Sequence, residues 1–334
     1  MITVGIIGYG YWGPNIVRNF SKLPGVKVGA ICDFNPIAIE YAQKEYPHLP
    51  IVSDYNEIVS SKEIDVVAII TPVSTHYELA KKALQNGKHV FVEKPMAPTS
   101  DQVEKLIEIA EKKKLLIMVD HTFLFTSAVR KIKDLIDEDV LGNLYYFDST
   151  RVNLGPFRHD TNVIWDLASH DLSIMDYVIK EKPIAITASG RSLFGNGLED
   201  VGYMTVYFSN NMIAHFNVNW LSPIKVRTTL VGGERKMLVW NDLDTDEKLK
   251  IHDKHLIFEN REGIDNLLSS YRSGDMWVPK LEQCEALRIE TEYLIDCITT
   301  GKTPVNDGCS ALRVIKILEA SNESLRNKGQ MVLL

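Results

Sequence analysis

The sequence predicts an α/β chain: an N-terminal doubly wound parallel sheet, then an α+β region built on a large, open, mostly antiparallel sheet. Three observations carry this reading. Apolar β-type runs alternate with helical patterns through roughly the first 120 residues. The first of those runs leads straight into a glycine-rich turn, Gly8-x-Gly10-x-x-Gly13. Past about residue 122 the rhythm changes to long strand-like segments in succession.

In the first region the runs Val4–Ile7, Val26–Cys32, Ile51–Val52, Asp65–Ile70, His89–Val92 and Leu116–Val119 read as strands. Runs that are apolar throughout, such as Val66-Val67-Ala68-Ile69-Ile70, suit a parallel sheet covered on both faces. Helices are expected over Asn15–Leu23, Pro36–Glu45, Tyr77–Asn86 and Ser100–Lys113. Gly87 stops the third of these, and Ser100 with Asp101 opens the fourth. In the second region a helix over Ser127–Glu138 precedes strands at Leu144–Val152, Ile184–Arg191, Val201–Phe208, Met212–Trp220, Lys225–Val231 and Lys236–Trp240. Met212–Trp220 alternates cleanly, with Ala214, Phe216, Val218 and Trp220 on one face and His215, Asn217 and Asn219 on the other. Helices over Glu282–Thr299 and Ser310–Asn327 follow. The domain boundary is expected between residues 121 and 122, giving a nucleotide-binding domain over 1–121 and a substrate-binding and oligomerisation domain over 122–334.

The glycine spacing has a chemical reason. Glycine lets the backbone turn tightly, approach a pyrophosphate and pack a helix on its strand. The helix N-terminus then offers free N–H groups and a positive dipole end. Asp33 ends the second strand about twenty residues on, where a carboxylate binds the adenosine ribose diol. That carboxylate repels a 2′-phosphate, and Phe34-Asn35-Pro36 supplies no cation, so the expected cofactor is NAD. Asp33 also suits a simple turn before Pro36.

Composition narrows the function classes. With 334 residues, 45% hydrophobic and 24% charged, the chain is long enough for two cores. A net charge of −7 argues against a nucleic-acid or anionic-membrane partner. No apolar stretch approaches the roughly 18 residues a membrane span needs, and Met1-Ile2-Thr3 lacks the positive start of a signal peptide. Cys32, Cys284, Cys297 and Cys309 show no metal-ligand spacing, so no metal site is expected and a cytoplasmic, reducing location is.

Three further clusters bear chemistry. Thr71-Pro72-Val73-Ser74-Thr75-His76 follows the fourth strand, on the edge where ligands of parallel sheets sit; it also suits a plain turn with a capping hydroxyl. Glu93-Lys94-Pro95 follows the fifth strand; the Lys94 ammonium there is placed to hold a substrate oxygen, with Glu93 as its anchor, though lysine is more often a solvated residue. Trp165-Asp166-Leu167-Ala168-Ser169-His170-Asp171 opens a helix on which Asp166 and His170 are i and i+4. A carboxylate beside an imidazole makes a general base, and the same spacing also describes a surface pair at a helix start.

Taken in order and at these distances, Gly8-x-Gly10-x-x-Gly13, Asp33, Thr71-Pro72 with His76, Glu93-Lys94-Pro95 and Asp166-x-x-x-His170 resemble the glucose–fructose oxidoreductase / inositol dehydrogenase / MocA-like family over nearly the whole chain. The resemblance implies that Lys94 and His170 are the catalytic pair, with Asp166 on the substrate side. It implies that the dinucleotide is held by the glycine loop (with Tyr9, Tyr11 and Trp12), Asp33, Phe34, Thr71, Pro72, Ser74, His76, Glu93 and Lys94. His121 is placed with them, although many members carry Asn or Arg there, which leaves its role open. The segment from Arg151 through Asn153 to Arg158, followed by Asn162 and Trp165, resembles the subgroup found in sugar-nucleotide pathways: the arginines suit a phosphate or carboxylate and Trp165 a ring. The expected activity is hydride transfer between the C3 carbinol of a UDP-N-acetylhexosamine or its uronate and NAD, by a homodimer or homotetramer. Alternatives are a dehydrogenase of a free polyol, inositol or sugar, and a non-catalytic dinucleotide sensor of the same fold.

Overall fold

The computed structural model describes residues 1–155, 161–194, 197–257 and 270–334. In chain order the elements begin with β1 (Ile2–Ile7), α1 (Gly13–Ser21), β2 (Val26–Cys32), α2 (Pro36–Glu45), β3 (Ile51–Val52) and α3 (Tyr55–Val59). Next come β4 (Val66–Ile69), α4 (Val73–Gln85), β5 (His89–Glu93), α5 (Ser100–Lys113), β6 (Ile117–Asp120) and a 3-10 turn at Thr122–Phe125. The second region opens with α6 (Ser127–Asp137) and β7 (Leu144–Leu154), then a π turn at Ile164–Ala168 running into α7 (Ser169–Val178). Strands β8 (Pro183–Arg191), β9 (Val201–Phe208), β10 (Ile213–Asn219), β11 (Leu221–Gly233), β12 (Met237–Asn241), β13 (Leu249–Ile257) and β14 (Ser270–Trp277) follow. The chain closes with α8 (Ala286–Thr300), α9 (Gly308–Arg326) and β15 (Val332–Leu333).

Two compact units result. One comprises Met1–Thr126 with Cys284–Ile315, the other Ser127–Gln283 with Lys316–Leu334. The single cut expected at 121/122 therefore differs from the contact pattern, because a late stretch of chain packs with the first unit. The reason is specific bonding. Arg18 on α1 grips the Glu285 carboxylate through both terminal nitrogens, and Asn19 adds a third bond, which draws Glu285 down to about 2. Val119 and Asn306 exchange backbone and side-chain bonds beside β6.

The first unit holds a six-stranded parallel sheet in the order β3-β2-β1-β4-β5-β6. All four positions of β4 are buried, as a sheet covered on both faces requires. Helix α2 starts where Asn35 accepts the Ile37 N–H ahead of Pro36. Helix α5 starts at Ser100 as expected, but its cap is the residue before: Thr99, not Ser100, accepts the Gln102 N–H. The short α3 was not legible as a helix; its cap is Asp54, which accepts the Asn56 N–H.

The second unit holds a nine-stranded sheet, β14-β13-β12-β11-β7-β10-β9-β8-β15, antiparallel except where β7 lies parallel to β10. Strands β13 to β15 went unread in the sequence because the alternation there is weak. One face is core: Phe147 and Phe216 lie 5.9 Å apart between centroids, among Met204, Val206 and Ala214. Tyr203, Ile213 and Leu230 are exposed. Among the described residues no helix is long and apolar enough to cross a membrane.

This core also contains an ion pair. Arg151 on β7 donates Nε and Nη2 to the two Asp171 oxygens on α7, both at 2.8 Å, with the residues 3% and 2% exposed. A bidentate fork offsets much of the desolvation, whereas an unpartnered guanidinium in the same place would not be tolerated. Asp171→Ala should therefore destabilise the protein by about 3–5 kcal/mol in equilibrium denaturation, and replacing both residues by apolar ones of similar volume should cost far less.

Candidate active site

At the carboxyl end of the parallel sheet the glycine loop leaves β1. Gly8 has φ +103, and a β-carbon on it would stand 2.3 Å from the Ile70 carbonyl oxygen. A β-carbon on Gly13 would stand 2.6 Å from the Gly8 oxygen, so the start of α1 packs directly on the end of β1. Gly10 differs: nothing lies within 4 Å of where its β-carbon would be. The loop is therefore closed against protein at two glycines and open at the third, the shape that admits a pyrophosphate. Helix α1 has no side-chain cap and no acid in its first turn; Pro14 carries no N–H and the Asn15 and Ile16 amides go to the Trp12 carbonyl, so what the helix offers an anion is its positive dipole end.

Asp33 stands just past β2. Its Oδ2 accepts the Tyr9 N–H at 2.6 Å and its Oδ1 the Asn35 N–H at 2.8 Å. A carboxylate has about four lone-pair sites, so the two that remain can serve a ribose diol. The carboxylate thus shapes the loop and faces the ligand edge at once. Around it the aromatic residues diverge. Tyr9 is 2% exposed, its ring against Tyr41 and Tyr46, so the expected contact from Tyr9 reduces to its backbone. Tyr11 and Phe34 are 95% and 83% exposed. Trp12 donates its indole N–H to Asp120 at the end of β6, at 2.8 Å.

Thr71 and Thr75 share a hydroxyl–hydroxyl bond of 2.6 Å, and Ser74 is exposed beside them. His76 is 1% exposed and lies between two carbonyls, Thr71 O at 2.7 Å from Nε2 and Pro95 O at 2.9 Å from Nδ1. Burial pushes its pKa down, and the two carbonyls oppose that. A residue so enclosed does not reach a ligand itself, which corrects the expectation of direct cofactor contact. It fastens the loop after β4 to the loop after β5, where Glu93 and Lys94 stand half-buried. His121 follows β6, buried, with Nδ1 unpartnered; burial, and then the Lys94 charge, hold its pKa near 3, so it is neutral at physiological pH.

In the second unit Arg151 is committed to Asp171, so the anion expected at this guanidinium is supplied from within the protein. Arg158 lies outside the described residues. Asn153 is half-buried on β7. Asp166 and Trp165 sit on the π turn and His170 on the first turn of α7, all half-buried, so two helix types meet between the acid and the imidazole. Gly202 on β9 seats this turn, since a β-carbon there would be 2.7 Å from Ile164. Asn162 accepts the Trp165 N–H and is itself held by Glu199 and Asn322. The Trp165 indole N–H is buried without a partner. Sequence reasoning missed Asp120 and Glu290, because an acid at a strand end and another within a helix carry no local signature. Among the described residues no group of three or more His, Cys, Asp or Glu is arranged to hold a metal.

Comparison with known proteins bears on the family and the fold. A family model described as "Oxidoreductase family, NAD-binding Rossmann fold" matches residues 2–121, and one described as "GFO/IDH/MocA C-terminal domain" matches residues 129–239. The uncharacterized oxidoreductase YdgJ of Escherichia coli (strain K12) is 31% identical, with 99% of each chain covered. The scyllo-inositol 2-dehydrogenase (NAD(+)) of Bacillus subtilis (strain 168) is 24% identical over 98% of this chain and 93% of its own. The solved UDP-N-acetylglucosamine 3-dehydrogenase GnnA from Acidithiobacillus ferrooxidans shares the fold at a TM-score of 0.82, 20% identity and 98% and 99% coverage. With both its domains matched in chain order, the protein belongs to the Gfo/Idh/MocA family of NAD-binding oxidoreductases.

Proposed function

We propose that this oxidoreductase is a dehydrogenase of a sugar carbinol, with a nucleotide-activated sugar such as a UDP-N-acetylhexosamine or its uronate, at C3, as substrate. The observation that carries the carbinol chemistry is the retention of both Glu93-Lys94-Pro95 and Asp166-x-x-x-His170 in a chain with an open glycine loop. Bound NAD supplies the two-electron acceptor. The protein's own part is to hold the substrate and move one proton. Lys94 donates a hydrogen bond to the reacting oxygen and stabilises its developing negative charge. His170 accepts the hydroxyl proton, and Asp166 orients the imidazole and raises its basicity. His121, kept neutral by burial, places no charge beside the nicotinamide.

Two observations bear on the substrate. The unpartnered Trp165 indole N–H suits an acceptor such as a sugar hydroxyl or an acetamido carbonyl. Arg151, neutralised by Asp171, is not available for a diphosphate, which favours the second reading, a free inositol or other polyol. The full-length similarity to an inositol dehydrogenase supports that second reading, as the fold of GnnA supports the first. Turnover of NAD with UDP-N-acetylglucosamine, its uronate, inositols and free sugars decides between them; no turnover, with NAD still bound, would favour the sensor. The free thiols suit a cytoplasmic location.

Three outcomes are expected. Asp33→Ala should weaken NAD binding and erase most of the preference over NADP, read by titration; a wild type that binds both alike overturns the role of Asp33. His170→Ala should lower kcat by about 10²–10⁴ with little change in NAD affinity. Lys94→Ala should lower kcat and loosen the cofactor, with Asp166→Asn the mildest of the three, and a wild-type kcat in His170→Ala would remove the histidine from the mechanism. Light scattering should give a dimer or tetramer assembled on the sheet face that carries Tyr203, Ile213 and Leu230; a 37.8 kDa species would contradict it.

A further inference from the structure

Beneath the glycine loop lies a buried polar cluster that the reaction scheme above does not use. Asp120 at the end of β6 and Glu290 on α8 are both buried, with their carboxyls within hydrogen-bond reach of each other. The Asp120 oxygens are already claimed by donors: the Trp12 indole N–H on Oδ2 and the Thr122 hydroxyl on Oδ1. On Glu290, Oε1 accepts from Asn306 Nδ2 at 3.1 Å, Oε2 is buried, and the Thr122 hydroxyl and His121 amide lie close enough to favour its anion against burial and the Asp120 charge. Two carboxylates cannot both stay ionised at this distance in a dry site. Glu290 is the more enclosed of the two, 0% exposed against 3% for Asp120, and both Asp120 oxygens already accept donors, so the proton goes to Glu290.

We propose that Asp120 and Glu290 are positioning residues sharing one proton, Glu290 as the acid donating to the Asp120 carboxylate, and that this pair fixes Trp12 and with it the dinucleotide seat of the glycine loop. Burial and the Asp120 charge push Glu290 well above the usual carboxyl range, in keeping with that assignment. Trp12 lies between the open Gly10 side and the packed Gly13, and its own carbonyl accepts the Asn15 and Ile16 N–H groups that open α1. Anchoring its ring therefore fixes both the loop and the positive end of α1 against which a phosphate would rest. The inference concerns cofactor binding and holds whichever sugar is oxidised.

Other charges face this cluster. Glu93 lies opposite Asp120 on β5, Lys94 follows it, His121 is neutral, and Arg18 is paired with Glu285 on the α1–α8 contact. All of these persist when Glu290 alone is changed. A carboxyl whose folded pKa is raised favours the folded state at acid pH and loses that advantage as pH rises from 4.5 towards the folded value. Glu290→Gln keeps a donor to Asp120 and removes the titration.

The test is NADH titration calorimetry from pH 6 to 9, with thermal midpoints, on wild type, Glu290→Gln, Glu290→Ala and Trp12→Phe. Glu290→Ala and Trp12→Phe should each weaken NADH binding by about tenfold, whereas Glu290→Gln stays within about threefold of wild type at neutral pH. The wild-type midpoint and NADH affinity should fall more steeply with pH than those of Glu290→Gln. Should Glu290→Ala fail to fold, the glutamine and phenylalanine variants decide. The proposal is overturned if Glu290→Gln shows the same pH slopes as wild type, if it binds NADH as weakly as the alanine variant, or if Trp12→Phe binds NADH like wild type.

Discussion

The carboxyl edge of the parallel sheet depends on backbone meeting backbone without a β-carbon between. Gly8 lies against the Ile70 carbonyl and Gly13 against the Gly8 carbonyl, so β1, the loop after β4 and the start of α1 form one tight junction. Because β1 and β4 are neighbours in the sheet although not in the chain, the connections on either side of this junction go to opposite faces and leave a crevice. Asp33 tightens the junction further by accepting the Tyr9 amide. His76 extends the arrangement by holding the next two loops through their carbonyls.

The two units solve the problem of buried charge differently. In the second, Arg151 and Asp171 neutralise each other with two parallel hydrogen bonds, a solution that needs opposite charges and a planar fork. In the first, Asp120 and Glu290 carry the same sign, so a proton rather than a counter-ion removes the repulsion. The ion pair depends little on pH near neutrality, whereas the shared proton makes its surroundings titratable. This is a chemical reason for a cofactor seat, and not a sheet core, to be sensitive to alkali.

Histidine is used in the same graded way. His121 is enclosed and burial keeps it neutral, while at His76 burial works against two carbonyl acceptors that favour the charged ring. His170 is half-exposed at the start of α7, just after the π turn that Gly202 allows against the sheet. The proposed proton transfer needs a ring that a substrate can reach, which the two enclosed histidines do not offer.

What the sequence by itself determined were the features written in short-range physics. The apolar runs, the Pro36 helix start and the Gly8-x-Gly10-x-x-Gly13 turn express backbone preference and periodicity, and the helices Pro36–Glu45 and Ser100–Lys113 stand where those signals put them. Asp33 was legible because its distance from the glycines is fixed by one βαβ passage. The tertiary structure alone decided which strands are neighbours, that Cys284–Ile315 packs with the first unit, and that Arg151 answers to Asp171 rather than to a ligand. It alone brought Trp12 to Asp120, 108 positions away, and Glu290 to Asp120. A carboxyl's protonation depends on the charges and solvent around it, and those are set by residues that meet only when the chain has packed.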